Sequence, residues 1–347
     1  MTNTTSQPSQ PSQPSQPSQP SQPSQPIRLG SLDVFPLALG CMGMSDMYGA
    51  SDDDESVATI HAAIDRGVNL LDTADFYGMG ANELLIGRAL KGRRDRVLLS
   101  VKFGAMRGPD GGWLGQDCRP AAVKTSLAYT LRRLGTDHVD IYRPARLDPT
   151  VPIEDTIGAI ADLVKAGHVR AIGLSEVGPD TIRRAQAVHP IADLQIEYSL
   201  LSRGPEAKIF PLLGELGIGV TAYGVLSRGL LTRSRPASPA DFRAHLPRFA
   251  GDNGKENERL VAALEQLAAE RRVSPAQLAI AWARSKGPRI VPLVGARSRR
   301  QLEDSLGALA IALTPAELAR LEEAVPASAV AGTRYQEHLM QFLDSER

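Results

Sequence analysis

The sequence predicts a (β/α)8 TIM barrel that follows a disordered N-terminal tail. After residue 26, short apolar runs alternate with longer segments of helical periodicity. Most of these runs are continuously apolar, which is typical of parallel strands covered on both faces. Eight such runs occur, and eight strands with intervening helices favour a closed barrel over a sandwich or a helical bundle.

The tail is predicted from a repeat at residues 6–26, which consist of seven Ser-Gln-Pro triplets. Its only apolar side chains are prolines, so it cannot bury enough surface to offset the entropy lost on ordering. It also has neither the charged nor the apolar region of a signal peptide. We therefore assign residues 1–26 to a disordered tail and residues 27–347 to one barrel domain. The alternative is that a PxxP repeat serves as a docking segment.

The elements follow in a regular order. Ile27–Val34 and Phe35–Leu39 are predicted as two short strands, and the run ending at Leu39 is the first barrel strand. A glycine follows three of the helices, where a left-handed cap is needed, at Gly67, Gly167 and Gly217. The next predicted helix–strand pairs are Asp53–Arg66 with Val68–Leu71, Ala81–Leu90 with Val97–Val101, Pro120–Leu134 with Val139–Tyr142, Ile153–Ala166 with Val169–Leu174, Pro179–Val188 with Asp193–Ile196, and Glu206–Leu216 with Gly219–Ala222. The series ends with helices Glu256–Arg271 and Pro275–Ser285, strand Ile290–Leu293 and helix Arg299–Leu309.

An open doubly wound sheet is the alternative architecture. Its dinucleotide-binding form carries Gly-x-Gly-x-x-Gly between the first strand and the first helix. This chain has Gly40-Cys41-Met42-Gly43-Met44 at that point, which does not fit. Any bound dinucleotide is therefore expected to be held in another way.

The composition argues against several classes of function. The 39 basic side chains balance 39 acidic ones, whereas proteins that bind nucleic acids or anionic membrane surfaces carry a basic excess. No apolar run is long enough for a transmembrane helix. Two cysteines, Cys41 and Cys118, are too few for a disulfide scaffold and are typical of a cytoplasmic protein. No metal site is predicted.

Charged residues follow the apolar runs where a barrel places its chemistry, at the carboxyl ends of the strands. Asp72 and Lys102 would face a partly dry barrel mouth, where paired charges are tolerated and lone ones are costly. We expect the lysine ammonium to lower the pKa of the nearby Tyr77 phenol, which would make it a usable general acid. A purely structural Asp–Lys pair, with Tyr77 packed in a loop, is the alternative.

Seven motifs, in order over residues 27–325, resemble those of the aldo-keto reductase superfamily. Each lies at a predicted strand end. They are Asp72-Thr73-Ala74-Asp75-Phe76-Tyr77-Gly78, Val101-Lys102-Phe103-Gly104, Val139-Asp140-Ile141-Tyr142, Ile172-Gly173-Leu174-Ser175, Gln195-Ile196-Glu197-Tyr198-Ser199, Ala222-Tyr223-Gly224-Val225-Leu226-Ser227-Arg228-Gly229 and Pro292-Leu293-Val294-Gly295-Ala296-Arg297.

This resemblance implies an NADPH-dependent reductase of small carbonyl compounds, in which a tyrosine protonates the carbonyl oxygen. It implies Asp72, Tyr77 and Lys102 as the catalytic residues. The implied cofactor-binding residues are Gly40, Met42, Ser175, Gln195, Tyr223, Gly224, Leu226, Arg228, Gly295, Arg297 and Gln301. Among these, Tyr223 would stack on the nicotinamide, Ser175 and Gln195 would bind its carboxamide, and Arg228 would face the pyrophosphate.

The preference for NADPH over NADH rests on three arginines. Arg297, Arg299 and Arg300 form a cationic cluster in the region that matches the adenosine 2′-phosphate site. A solvated helix start is the alternative interpretation of the same cluster. Asp304-Ser305 replaces a Glu-Asn pair that is common near the adenine in this family.

Two other departures from the family pattern affect the mechanism. Ala145 stands where the pattern Tyr-x-x-His-Arg-x-Asp-Pro has its histidine, and Glu176 stands where many members have asparagine. Glu176 either contacts the amide or faces solvent. Without the histidine, the chain is either a reductase that relies on Tyr77 and Lys102, or an NADPH-binding sensor or partner subunit with little turnover. A barrel glycosidase that uses Asp72 and Glu197 is the third class, but it leaves the lysine without a role.

Substrate contacts are expected in the loops above the barrel, at Tyr48, Trp113 and Ala145. The long stretch Thr232–Lys255 is interpreted as a flap over the cofactor. Arg334–Arg347 has an apolar face, and either folds over the barrel mouth or makes a subunit contact. The sequence predicts neither the carbonyl substrate nor the oligomeric state.

Overall fold

The structure is a computed structural model of the 347-residue chain. It describes residues 25–45, 47–236, 238 and 241–347. Except for its last two residues, the predicted tail lies outside these ranges, and so does part of the predicted flap.

Eight parallel strands close into a barrel, which confirms the predicted (β/α)8 TIM fold. Each strand pairs with its neighbours along the chain, and the eighth strand pairs with the first. The strands are β1 (Ala38–Gly40), β2 (Leu70–Ala74), β3 (Leu98–Phe103), β4 (Val139–Pro144), β5 (Val169–Ser175), β6 (Ile191–Glu197), β7 (Gly219–Tyr223) and β8 (Ile290–Gly295).

Most of the helices cover the outside of the barrel and bury one apolar face. Ile153, Ile157 and Ile160, for example, are buried on the inner face of the fourth helix at a spacing of one helical turn. The helices are α1 (Asp53–Asp65), α2 (Ala81–Ala89), α3 (Pro120–Leu134), α4 (Ile153–Lys165), α5 (Pro179–Val188), α6 (Pro205–Leu216), α7 (Gly251–Glu270), α8 (Pro275–Ser285), α9 (Arg299–Gly307), α10 (Pro315–Ala324) and α11 (Glu337–Met340).

A hairpin closes the bottom of the barrel, where the sequence predicts a single strand over Ile27–Val34. Ile27–Leu29 pairs antiparallel with Leu32–Val34, and Gly30 turns the chain with a φ of 57°. The Leu29 side chain fills the bottom of the barrel and packs against Gly219. A Cβ at Gly219 would clash with the Leu29 Cδ2 atom. The predicted strand at Phe35–Leu39 is therefore wrong in its start, because the first barrel strand runs over Ala38–Gly40.

Two barrel strands extend further than predicted, and the extension carries the candidate catalytic residues. The sequence predicted strand ends at Leu71 and Val101, but the parallel ladder continues to the pair Ala74 and Lys102. Asp72 and Lys102 thus project from the ladder itself, because the backbone groups of a strand can pair with a neighbour whatever side chain the residue carries.

Several elements were not predicted. A second hairpin, Ala105–Arg107 with Trp113–Gln116, follows β3 at the barrel mouth. Helix α10 begins at a capping box formed by Thr314 and Glu317, a sequence signal that had been overlooked. Helix α7 begins at Gly251, five residues before its predicted start, so the flap region is partly helical. Across the described ranges, no helix is both long and apolar enough to span a membrane.

Candidate active site

An ion pair between adjacent strands lies at the centre of the barrel mouth. The Lys102 Nζ atom donates to Asp72 Oδ1 at 2.5 Å and to the carbonyl oxygen of Thr73 at 3.0 Å. The other oxygen, Asp72 Oδ2, accepts from Ser100 Oγ at 2.8 Å and from Gln195 Nε2 at 2.7 Å. Both charged side chains are buried, so three donors compensate the carboxylate for the water it has lost.

Tyr77 is brought beside this pair, as the sequence predicted. It follows β2 in a tight turn over Tyr77–Gly80, and Lys102 Nζ lies 4.9 Å from the centre of its ring. Burial, together with the charge of Asp72, raises the pKa of Tyr77 well above its ordinary value. The expectation that the lysine would lower this pKa is therefore wrong, because the loss of water outweighs the ammonium charge. The phenol keeps its proton at neutral pH and remains able to donate it.

Burial acts on Lys102 in the opposite direction. It lowers the pKa of the ammonium group, since the charged form is the one that loses hydration. The Asp72 carboxylate opposes this shift through its charge and its hydrogen bond. Lys102 therefore releases its proton at a lower pH than an exposed lysine does.

Ala145 directly follows β4, at the position where the family pattern has its histidine. Its backbone N–H donates to the carbonyl oxygen of Phe103 at 2.8 Å, and its methyl group is buried. A methyl group supplies no hydrogen bond to a ligand. The next residue, Arg146, donates to the Ala145 carbonyl oxygen at 2.6 Å and to the Tyr335 hydroxyl at 3.2 Å.

The ends of β1, β5, β7 and β8 fit a nicotinamide dinucleotide. The Ser175 Oγ atom is buried and has no hydrogen-bond partner in the described part of the chain, which is costly unless a ligand supplies one. The ring of Tyr223 is half-buried at the end of β7. Gly40 and Gly295 are paired across β1 and β8, and a Cβ on Gly295 would meet only the Gly40 carbonyl oxygen, at 3.9 Å. Because neither glycine has a side chain, a ligand can approach the backbone closely at this point.

The predicted cationic cluster is smaller than the sequence suggested. Arg299 forms an ion pair with Glu55 at 2.9 Å, so its charge is already balanced. Arg297 donates to the carbonyl oxygen of Tyr48 at 2.9 Å, and its backbone N–H donates to Gln301 Oε1 at 2.9 Å. Arg297 and Arg300 have no carboxylate partner within the described part of the chain, so these two retain an unbalanced charge for a phosphate.

The loop after β7 places Arg228 against a carboxylate. Its Nη2 atom donates to Glu197 Oε2 at 2.8 Å, and its guanidinium lies 4.6 Å from the centre of the Tyr335 ring. Gly224 has a φ of 67°, and a Cβ there would lie 3.1 Å from the Glu197 side chain. The side chain of Leu226 is half-buried against the core. The predicted pyrophosphate partner thus already has a protein partner.

The C-terminal segment supplies site residues that the sequence did not predict. Arg334 donates to both carboxylate oxygens of Glu176, at 3.0 and 2.9 Å. Glu176 also accepts from Ser345 Oγ at 2.6 Å and from the Tyr223 hydroxyl at 2.7 Å. The Tyr335 hydroxyl lies 3.2 Å from that of Tyr223. Residues 334–347 therefore fold over the barrel mouth, the first of the two alternatives considered for them.

Glu176 is completely buried, so the alternative that it faces solvent is wrong. Burial by itself would raise the pKa of this carboxyl group, but the Arg334 guanidinium and the neighbouring donors hold it at about 2. Its backbone adopts a φ of 51°, which is uncommon for a residue other than glycine. The cost of that conformation is offset by the hydrogen bonds its side chain makes.

The residues predicted to contact substrate lie on two sides of the site. Trp113, in the second hairpin, is half-exposed, and its ring packs edge-on against Phe76 at 5.7 Å. Phe76 in turn packs against Tyr77 at 5.0 Å, so Trp113 is close to the candidate acid. Tyr48 lies on the side of Arg243, whose guanidinium is 5.2 Å from the centre of its ring. Met42 is half-buried at the start of a short turn after β1.

Comparisons with known proteins match this chain over most of its length. A family model described as "Aldo/keto reductase family" matches residues 36–326. A protein from Glycine max, named "Probable aldo-keto reductase 1", is 40% identical over 327 residues, covering 91% of this chain and 93% of the soybean protein.

Two solved structures have the same fold. A glycerol dehydrogenase from Gluconobacter oxydans is 30% identical and superposes with a TM-score of 0.79, covering 88% of this chain and 97% of that one. An aldo/keto reductase from Klebsiella pneumoniae, solved in complex with NADP and acetate, is 27% identical with a TM-score of 0.70. That match covers 87% of this chain and 95% of the other.

Proposed function

Because this chain belongs to the aldo/keto reductase family, we propose that it is an NADPH-dependent oxidoreductase that reduces an aldehyde or ketone to an alcohol. The observation that carries the proposal is the buried Asp72–Lys102 pair beside the protonated phenol of Tyr77. The related Klebsiella pneumoniae structure, solved with NADP, supports the choice of cofactor. When bound, NADPH supplies the hydride that the carbonyl carbon accepts.

In this proposal the residues of the chain perform the proton transfer. Tyr77 donates its phenolic proton to the carbonyl oxygen as negative charge develops there. The Lys102 ammonium, 4.9 Å from the centre of the ring, stabilises the negative charge that then appears on the phenol. Asp72 holds Lys102 in position through the 2.5 Å hydrogen bond.

The cofactor would be held by groups that the structure leaves available for it. Ser175 Oγ would accept a hydrogen bond from the carboxamide or donate one to it, and the half-buried ring of Tyr223 would support the nicotinamide. The glycine pair at Gly40 and Gly295 would admit the phosphates close to the backbone. Arg297 and Arg300 would bind the 2′-phosphate, with Gln301 beside them.

A second candidate function is suggested by Ala145. Loss of one hydrogen-bond donor to a developing oxyanion costs on the order of 100-fold in turnover. On this basis the chain would bind NADPH as a sensor or partner subunit and turn over slowly. We favour the reductase, because a protein that only binds the cofactor has no need for the buried Asp72, Lys102 and Tyr77 set.

Two measurements with the full-length protein separate the candidates. Quenching or enhancement of NADPH fluorescence on mixing reports binding, and loss of NADPH absorbance with a panel of aldehydes and ketones, including pyridoxal, reports turnover. We expect both binding and steady oxidation. Tight binding with no oxidation for any carbonyl compound would contradict the reductase and support the sensor.

The role of Tyr77 gives the first prediction. Tyr77→Phe removes the donated proton and keeps the ring, so we expect kcat to fall by at least roughly 100-fold while the Kd for NADPH is unchanged. Tyr129→Phe, at a tyrosine exposed on α3, is the matched control and should behave as the parent does. Full activity in the Tyr77 variant would show that another group acts as the acid.

A further inference from the structure

A buried arginine inside the barrel has no role in the mechanism above. Arg143 projects from β4 into the barrel interior and has no exposed surface. Its Nη2 atom lies 3.1 Å from Asp193 Oδ1 on β6, and the same atom donates to Ser100 Oγ on β3 at 3.1 Å. The hydroxyl of Thr221 donates to the other oxygen of Asp193. The interior of the barrel thus contains a second ion pair near Asp72 and Lys102.

A glycine provides the space for this guanidinium. A Cβ atom on Gly173, in β5, would lie 2.8 Å from Arg143 Nε, 3.0 Å from Arg143 Cζ and 2.7 Å from Asp193 Oδ1. The φ of Gly173 is not positive, so the backbone conformation there is open to other residues. What excludes a side chain at this position is the ion pair of Arg143 and Asp193.

One hydroxyl group joins the two ion pairs. Since Arg143 donates into the oxygen of Ser100, the hydroxyl proton of Ser100 is left to donate to Asp72 Oδ2, at 2.8 Å. Asp72 in turn accepts from Lys102 at 2.5 Å. Because a carboxylate only accepts, Asp72 sets the direction of that hydrogen bond, and Arg143 holds the Ser100 oxygen from the other side.

The arrangement is a costly way to fill the barrel. The Nε and Nη1 atoms of Arg143 have no hydrogen-bond partner among the described residues. A buried ion pair adds little stability over apolar residues of the same volume, and unpaired buried donors reduce stability further. A role for Arg143 other than stabilising the fold accounts for this cost.

We propose that Arg143 is a positioning residue for carbonyl reduction, because its contact fixes the place of the Ser100 hydroxyl and so holds the Asp72–Lys102 pair beside Tyr77. The inference rests on the proposed function, but its first test needs no turnover. Burial is the main cause that lowers the pKa of Lys102, and the charge of Arg143 lowers it further. Asp72 raises the same pKa and so opposes both effects. The titration of Lys102 therefore reports the position of Arg143.

The first experiment follows Lys102 by NMR in the full-length protein labelled with 13C at the lysine ε carbon. The chain has only seven lysines, and a Lys102→Met sample identifies the resonance. We expect Arg143→Met to raise the pKa of Lys102, because a neighbouring positive charge is removed. The double variant Arg143→Met/Asp193→Asn removes both charges of the pair, so we expect the pKa of Lys102 to shift less than in the single variant.

Arg94→Met is the matched control. Arg94 pairs with Asp140 at 2.8 Å near the start of β4, at the opposite end of the barrel, and its loss should leave the Lys102 titration unchanged. If Lys102 titrates in the Arg143→Met variant as it does in the parent, the positioning role is wrong. This result is independent of whether the protein reduces any carbonyl compound.

The second experiment measures turnover. Arg143→Met should lower kcat by roughly 10-fold with little change in KM for NADPH. Gly173→Ala, which displaces the guanidinium without removing a charge, should cause a similar loss.

Ser100→Ala breaks the link with a small change, so adding Arg143→Met to it should slow the enzyme no further. Fully additive losses would contradict a route through Ser100. An inactive parent whose Lys102 titration still responds to Arg143 would contradict the proposed function and leave the link standing.

Discussion

At the scale of single residues, burial and immediate partners set the proton chemistry of the barrel mouth. Tyr77 and Glu176 are both buried, yet the pKa of Tyr77 is raised and the pKa of Glu176 is lowered. At Tyr77 the loss of water outweighs the nearby positive charges, and the phenol stays protonated. Glu176 has Arg334 in a two-pronged contact, and the carboxylate stays charged.

Glu176 gives a prediction with a pH dependence. Its pKa is lowered from 4.5 to about 2 in the folded protein, so its pairing stabilises the fold fully above pH 4.5 and is lost as the pH falls toward 2. This shift corresponds to a contribution on the order of 3 kcal/mol. We expect Glu176→Gln to reduce the free energy of unfolding by about that amount at pH 7, and by progressively less below pH 4.5.

Urea unfolding of parent and variant at a series of pH values measures this difference. Glu154→Gln is the matched control, because Glu154 also contacts an arginine, Arg184, through two hydrogen bonds of 2.7 Å. That pair is exposed, so its loss should change the free energy of unfolding little. A constant difference between parent and Glu176→Gln from pH 7 to pH 2 would mean that Glu176 does not act through its charge.

At the scale of elements, close approach between helices is decided by single glycines. Helix α2 packs against the end of α3 at Gly87, where a Cβ would lie 2.7 Å from the Arg133 carbonyl oxygen and 2.9 Å from that of Leu134. Both obstructing atoms belong to the backbone and cannot rotate away. Gly158 in α4 differs, because a Cβ there would have no neighbour within 4 Å.

These two glycines form a matched pair for measurement. Gly158→Ala should stabilise the protein by up to about 1 kcal/mol, since alanine is the better helix former. Gly87→Ala gains the same helix propensity but forces α2 away from α3, and we expect a net loss of stability. Thermal unfolding of the two variants beside the parent tests this. Equal shifts in Tm would show that α2 can move at no cost.

At the scale of the whole molecule, the barrel is closed at both ends by segments outside the strand–helix repeat. The N-terminal hairpin fills the bottom, and residues 334–347 lie across the mouth. All the candidate site residues come from segments after Ala38. The Ser-Gln-Pro repeat precedes both closing segments along the chain.

The repeat gives the last prediction. A chain that starts at Ile27 keeps every element of the barrel, so its Tm should stay within about 2 °C of the parent and its KM for NADPH should be unchanged. Differential scanning calorimetry and steady-state kinetics measure both. A clearly lower Tm or a clearly changed KM for NADPH would show that the tail contacts the barrel.

The sequence predicted the fold and much of the candidate site for different reasons. The barrel follows from the apolar pattern, which needs no knowledge of the neighbours of any residue. Asp72, Tyr77 and Lys102 were found because motifs near strand ends carry them in order. Arg143, by contrast, directly follows the motif that ends at Tyr142. Its charge gave no sign that it would lie inside the barrel. Arg334 and Tyr335 were placed only in a tail whose destination was left open.

The sequence by itself determined the alternation of strands and helices, and therefore which ends of the strands carry the chemistry. Local pattern is enough for that, because periodicity is a property of neighbouring residues. Only the tertiary structure decided the pairing of Arg143 with Asp193, the anchoring of Glu176 by Arg334 and the direction of the Tyr77 pKa. Each of these depends on groups that are far apart in the chain, and on how much water the fold removes from between them.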